Sequence, residues 1–160
     1  MEPASPEAKN EALSFLANHE AGVLATLSTQ QEVRARLVYY AADDAFNIYF
    51  LTLNDTRKVA DLRTHSRAAF VVSSTEPPRT LQIEGEVADL TDSATLDPFL
   101  SEFVHKLMAH EKYGIPLSHL DASTIRFYRL TPTWVRWGDF TEGPGSDKVF
   151  AEISLAQPHQ

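Results

Sequence analysis

The chain has 160 residues, 43% hydrophobic and 22% charged, with a net charge of −8 and no cysteine. This is enough for one domain with a sizeable core; so acidic a surface does not suit nucleic acid, and the lack of cysteine excludes disulfides, thiolate chemistry and thiolate-held metal. No apolar run reaches the length of a membrane span and the polar start MEPASPEAKNEA holds no apolar leader, so a cytoplasmic protein is expected, a single domain over 1–160 with short disordered ends at about 1–6 and 155–160.

The elements follow in chain order. Residues 7–18 read as a short amphipathic helix with Ala12, Leu13, Leu16 and Ala17 on its buried side. Residues 22–27 form a first strand. Residues 33–40 and 46–52 are expected to pair as a hairpin across AADDA, and 56–65 follow as a helix N-capped by Asn54 or Asp55. The apolar run 67–73 predicts a strand buried on both faces. Residues 76–78 are a loop, and 79–90 a long strand in which Gly85 marks a bulge or bend. A helix is expected over 93–110, with Asp97 and Pro98 in its first turns and Leu96, Phe99, Leu100, Phe103 and Leu107 along one side. Residues 123–140 are extended and broken at Pro132, 142–145 are a loop, and 148–154 add an edge strand. Six or seven strands with three helices predict a mainly β fold with peripheral helices, an antiparallel barrel with helices at its rim.

The run from Asn47 to Lys58, NIYFLTLNDTRK, is a strand that turns into a helix with cations in its first turn. A helix start offers unpaired backbone N–H groups and the positive end of the dipole. Thr56 adds a hydroxyl, and Arg57 and Lys58 add charge. Upstream, EVRARLVYY alternates strictly: Val33, Ala35, Leu37 and Tyr39 share one face, Arg34, Arg36, Val38 and Tyr40 the other. Arg34, Arg36, Arg57 and Lys58 are four of only fourteen Lys and Arg residues. Their convergence, with the hydroxyls of Thr52 and Thr56, predicts a site for a small anion such as a phosphate.

Arg36 followed by LVY, Thr52 in YFLT and the triplet Thr56-Arg57-Lys58 resemble, in order and spacing, the RxVLLK, YT and SRK pattern of the FMN-binding split-barrel family typified by pyridoxamine 5'-phosphate oxidase. LRTHSRAAFVV and LQIEGEVADL continue the likeness, which spans roughly residues 22–90. The resemblance implies an FMN-binding split β-barrel and a homodimer with flavin at the subunit interface. By position, Arg36 and neighbouring Arg34 would meet the FMN phosphate, and Arg57 and Lys58 would clamp it with Thr56. Leu37, Val38 and Tyr39 would run beside the flavin ring, and Thr52 would touch the ring or ribityl region. The family's flavin-contacting Gln falls at Thr80, with Gln82 two residues on, so either could serve. Trp137, with Arg136, would cover the flavin from the partner subunit, or pack in the core. The oxidase's C-terminal Arg/His segment has no counterpart in this sequence. The likeness is therefore to the general stress protein-like branch, and no oxidation of pyridoxamine phosphate is expected.

No other constellation competes. Among six histidines there is no HExxH spacing, so no metal is expected, and no GxSxG elbow appears. Asp43 and Asp44 read as turn residues. The expectation is an FMN flavoprotein, an oxidoreductase working on a small-molecule substrate or electron donor, without nucleic acid or membrane. The alternatives are a deazaflavin-dependent reductase, a haem-binding split barrel, and a non-enzymatic flavin-binding or sensor module.

Overall fold

The computed structural model describes residues 3–94, 97–109, 122–143 and 149–155. Eight antiparallel-paired strands form one curled sheet among them: β1 (Ala21–Leu27), β2 (Val33–Tyr39), β3 (Ala41–Ala42), β4 (Ile48–Leu53), β5 (Arg67–Thr75), β6 (Pro78–Asp89), β7 (Ile125–Asp139) and β8 (Phe150–Glu152). Their order is β2-β1-β5-β6-β7-β4-β3, with β8 on the far part of β7. The expected split β-barrel is what forms, with helices α1 (Pro6–Ala17), α2 (Arg57–Thr64), α3 (Thr91–Ala94) and α4 (Pro98–Met108) around it.

The principal correction concerns β2. It does not pair with β4 as a hairpin. β2 pairs with β1 throughout, the tight hairpin is β3 with β4, and β4 pairs with β7. β2 and β4 meet only across the seam of the barrel, without a shared ladder. That seam matters for the site, because one wall is the edge of β2 and the other is the end of β4.

Period-two alternation decides what each strand buries. Leu24, Phe70, Val72, Leu81, Ile83 and Val135 point into the core, together with Ile48 and Phe50 of β4. α1 closes one end with Ala12, Phe15 and Leu16; Phe15 takes the inward place expected of Ala17, which is exposed. Tyr49, Leu51 and Phe127 face the other way and build a second cluster with Leu100 and Leu107 of α4. β5 is not buried on both faces: Ala68, Phe70 and Val72 are inside, whereas Ala69 and Val71 are half-buried on the outer face.

Two further expectations shift. The helix over 93–110 is two helices, the second capped by Asp97, whose carboxylate accepts from Phe99 N–H at 2.9 Å; His110 lies outside the described residues. β7 is not broken at Pro132. Pro132 sits opposite Gly85, where the β6–β7 register shifts between Glu84 and Gly85. The bulge takes up the ladder bond that proline cannot donate. Gly85 is required there, since a Cβ would lie 2.1 Å from the Thr131 carbonyl oxygen. At the chain's start Pro3 bridges to Glu152, and Ala4 N–H donates to the Glu152 carbonyl at 2.8 Å. No helix among the described residues is long and apolar enough to cross a membrane.

Candidate anion site at the barrel seam

Six residues from two elements line a cavity of about 350 Å³ at the seam: Arg34, Ala35 and Arg36 of β2, and Thr56, Arg57 and Lys58 at the start of α2. The expected convergence is therefore present, although the two elements share no ladder. Strand alternation puts both arginines on the inward side of β2, at the barrel's rim. The turn after β4 carries α2 across that rim.

α2 begins one residue later than expected. Thr56, not Asn54 or Asp55, is the N-cap residue, with extended φ of −89° and ψ of 156°. Its side chain makes no capping bond. The hydroxyl lies 3.0 Å from the Thr52 hydroxyl instead, and Thr52 is itself buried at the end of β4. The first-turn N–H groups of Arg57 and Lys58 therefore have no side-chain acceptor within the described residues. An anion at that position would meet them and the helix dipole together.

The two pairs of cations differ. Both strand arginines are held by Asp61, a residue with no sequence signal of its own. Asp61 is buried to 1% exposure on the inner side of α2. Its carboxylate accepts from Arg34 at 3.1 Å, from Arg36 at 3.1 Å and from the Thr26 hydroxyl at 2.8 Å. Arg36 also donates to the Thr26 hydroxyl, and exposed Glu32 takes a second bond from Arg34 at 3.3 Å. A carboxylate this deeply buried would be costly alone; two guanidiniums and a hydroxyl compensate it. Arg57 and Lys58 have no such partner among the described residues. Burial, and then the nearby Arg36 guanidinium, hold the Lys58 ammonium below its usual pKa of 10.5. A half-buried cation beside a second cation, with no acidic partner of its own among the described residues, suits an anion.

The remaining expected site residues divide by face. Tyr40 N–H donates to the Glu20 carbonyl at 3.0 Å. By antiparallel alternation, even-numbered residues of β2 direct their backbone groups at β1, and Ala35 and Leu37 direct theirs at the edge. Val38 is thus tied to β1 and its side chain is buried, whereas Leu37 offers backbone groups to a ligand at the seam. Tyr39 lies on the same outer side as Leu37. Gln82 and Thr80 both lie on the outer face of β6, two strands from the β1–β2 edge. Thr80 shares a 3.0 Å hydroxyl contact with Ser73. Trp137 points inward, 3% exposed, and packs edge-on against Phe15 with centroids 5.1 Å apart. Its core placement takes it off the outer face; the tryptophan that looks outward is Trp134.

A family model for pyridoxamine 5'-phosphate oxidase matches residues 8–137. No curated protein matches the sequence. Among solved structures, a haem binding protein from Mycobacterium smegmatis superposes with a TM-score of 0.70 at 18% identity, over 95% of this chain and 59% of that one. A pyridoxamine 5'-phosphate oxidase-related, FMN binding protein from Nostoc punctiforme gives 0.67 at 15% identity, over 97% of this chain and 98% of its own. An F420 reductase gives 0.56 at 20% identity, over 76% and 93%. At such identities the likeness is one of fold.

Proposed function

The chain belongs to the pyridoxamine 5'-phosphate oxidase family, and from that premise we propose that it is an FMN-binding flavoprotein, an oxidoreductase that passes hydride or electrons through a flavin held at the barrel seam. The observation that carries this reading is the pair of cations, Arg57 and Lys58, without an acidic partner among the described residues, at a helix start whose N-cap hydroxyl makes no capping bond. The donor set fits a phosphate monoester: two cations, two first-turn N–H groups and the Thr56 hydroxyl, backed by the Arg34–Arg36 pair. When bound, FMN supplies the redox chemistry; the chain's residues bind it, orient it and set the charge around it. The edge of β2 at Leu37 can then lie along the ring.

The fold also presents an apolar outer face next to the seam. Val33, Leu37 and Val23 are 78%, 62% and 43% exposed, and Leu37, Val23 and Val71 stand in register across β2, β1 and β5. A second copy covering that face would give the homodimer, with two flavin sites near the joint. Sedimentation should then report twice the 17.9 kDa chain mass; a monomer at micromolar concentration would remove the shared interface.

The decisive experiment is a titration of flavin-free protein with FMN and with riboflavin at fixed salt. Charge-assisted bonds to phosphate contribute roughly 1.5–3 kcal/mol each, so two of them favour FMN by about 3 kcal/mol, on the order of a hundredfold. Equal affinities would overturn the reading. The absorption spectrum of the purified protein separates the alternatives: flavin bands, a deazaflavin band, a Soret band, or no chromophore.

A further inference from the structure

Arg136 lies on the outer face of β7, outside the seam site, and its surroundings are unusual. Its Nε is buried with no hydrogen-bond partner among the described residues. The guanidinium carbon sits 4.2 Å from the Phe150 ring centroid and 5.6 Å from that of Trp134. Two aromatic rings thus lie against the guanidinium, and neither can accept the Nε–H as a carboxylate would. Glu152 stands opposite Arg136 in the β7–β8 register, yet no ion pair joins them among the described residues.

This arrangement is built, not incidental. Phe150 can lie under the guanidinium because residue 138 is glycine. A Cβ there would come within 2.8 Å of Phe150 Cε1 and 2.9 Å of Thr80 Cγ2. Phe140 then closes on Phe150 edge-on, with centroids 5.2 Å apart. On the other side, Gln82 is the register partner of Arg136 across β6–β7, and Val71 the register partner of Gln82 across β5–β6. One row of the outer face therefore reads, from β7 to β5, fixed guanidinium, side-chain amide, apolar surface.

We propose that Arg136 is the anchor of a second binding site, one that takes a small molecule with a carboxylate and an apolar body. The guanidinium fork matches a carboxylate bidentately. The Gln82 amide can add one hydrogen bond, and the apolar body rests on Val71. A guanidinium already packed against two rings loses less rotamer freedom on binding than a flexible surface arginine, which favours recognition. This goes beyond the flavin reading, and nothing in it requires flavin.

The test is a calorimetric titration of the full chain without flavin, using benzoate as the probe and benzamide as its neutral counterpart. Benzoate should bind saturably and benzamide should not. Arg136→Gln should weaken benzoate at least about tenfold, the loss expected from one charge-assisted pair. Arg136→Lys, which keeps charge but not the fork, should fall between. Gly138→Ala should weaken benzoate too, by displacing Phe150. The melting temperatures of all three variants should be recorded alongside, so that a variant that fails to fold is recognised and Arg136→Lys carries the comparison. No saturable benzoate binding by the unmodified chain, or equal binding by Arg136→Gln and Arg136→Lys, would overturn the proposal. So would an Arg136→Gln chain that merely dissociates or melts early with benzoate unaffected, since Arg136 would then serve a partner copy or Glu152. Titration of Arg136→Gln with riboflavin keeps the two sites apart: riboflavin carries the ring without the phosphate, so an affinity equal to that of the unmodified chain leaves the Arg136 site separate from the flavin, and a loss in step with benzoate would place Arg136 over the flavin ring and overturn the proposal.

Discussion

The four cations of the seam come in two pairs, and the fold treats them oppositely. Arg34 and Arg36 project inward from a strand and are already held by Asp61 and Thr26, which offset one of their two charges. Arg57 and Lys58 project from a helix start, with no acceptor among the described residues, and Lys58 is held below its ordinary pKa. The strand pair is therefore architecture that also lends positive potential. The helix pair is the part that a ligand can satisfy. Mutating the two pairs should separate stability from binding.

The largest effect falls on the strand pair. Asp61→Asn keeps the shape but removes the charge that compensates two arginines. Breaking a buried ion pair from one side typically costs 3–5 kcal/mol. The arginine side chains retain 29% and 20% exposure, so about 3 kcal/mol, the low end, is expected. Denaturant unfolding of flavin-free protein measures it; a loss below about 1 kcal/mol would mean water already solvates the arginines and the pairing is ornamental.

Next in size is the helix pair. Lys58→Ala and Arg57→Ala should each weaken FMN about tenfold and leave riboflavin nearly unchanged, with little shift in the melting of the flavin-free protein. Lys58 should matter more than Arg57, because Lys58 is half-buried and Arg57 is exposed. If either substitution unfolds the chain as Asp61→Asn does, the contrast between the pairs disappears.

These contrasts also explain what the sequence could disclose. Arg34 and Arg36 share a face by strict alternation, and Thr56, Arg57 and Lys58 are contiguous, so local periodicity is sufficient to group each set; their meeting is not local, because it comes about across the seam and not through a β2–β4 hairpin. Asp61 was not legible. In RKVADLRT it reads as one more surface charge on a short helix, and its role depends on β1 and β2, whose residues lie 25 to 35 positions away. The hairpin expectation failed for a related reason. Strands separated by a short turn-rich segment usually pair, but here the pairing passes to β3, and β2 faces β4 across an open seam. Trp137 could have been placed by parity alone, since it alternates with Arg136 and shares the side of Val135, which is fully buried. The bulge that permits Pro132 within β7 needed the structure, although Gly85 already marked its position on β6.

A smaller effect sharpens the distinction through pH. In the free protein Lys58 releases its proton below 10.5. Between that lowered value and 10.5, the unfolded chain binds more protons than the folded one, so the Lys58 contribution makes flavin-free stability rise with pH across this window. A bound phosphate dianion favours the ammonium and reverses the shift. FMN binding should then take up a proton in the window, and affinity should fall as pH rises, by at most about tenfold per pH unit for one proton. The phosphate itself remains a dianion there, its second pKa lying near 6. Lys58→Met should flatten the profile. A profile as steep in Lys58→Met as in the unmodified chain would assign the titration to another group.

The smallest effect concerns Thr56, and it has internal controls. Ser5 and Asp97 are N-cap residues whose side chains accept first-turn N–H groups, from Ala8 at 3.2 Å and from Phe99 at 2.9 Å. Removing such a cap by Ser5→Ala or Asp97→Ala should cost about 1 kcal/mol of stability. Thr56 occupies the same position of α2 but makes no capping bond. Thr56→Ala should therefore cost only a few tenths of a kcal/mol in flavin-free protein, for the loss of one neutral contact to the Thr52 hydroxyl. Its mark should appear instead in FMN affinity, as a loss of roughly threefold to tenfold for one hydrogen bond in the cradle. If Thr56→Ala is as destabilising as Asp97→Ala while FMN binding is unchanged, then Thr56 caps α2 in solution, and the first-turn N–H groups are not available to an anion.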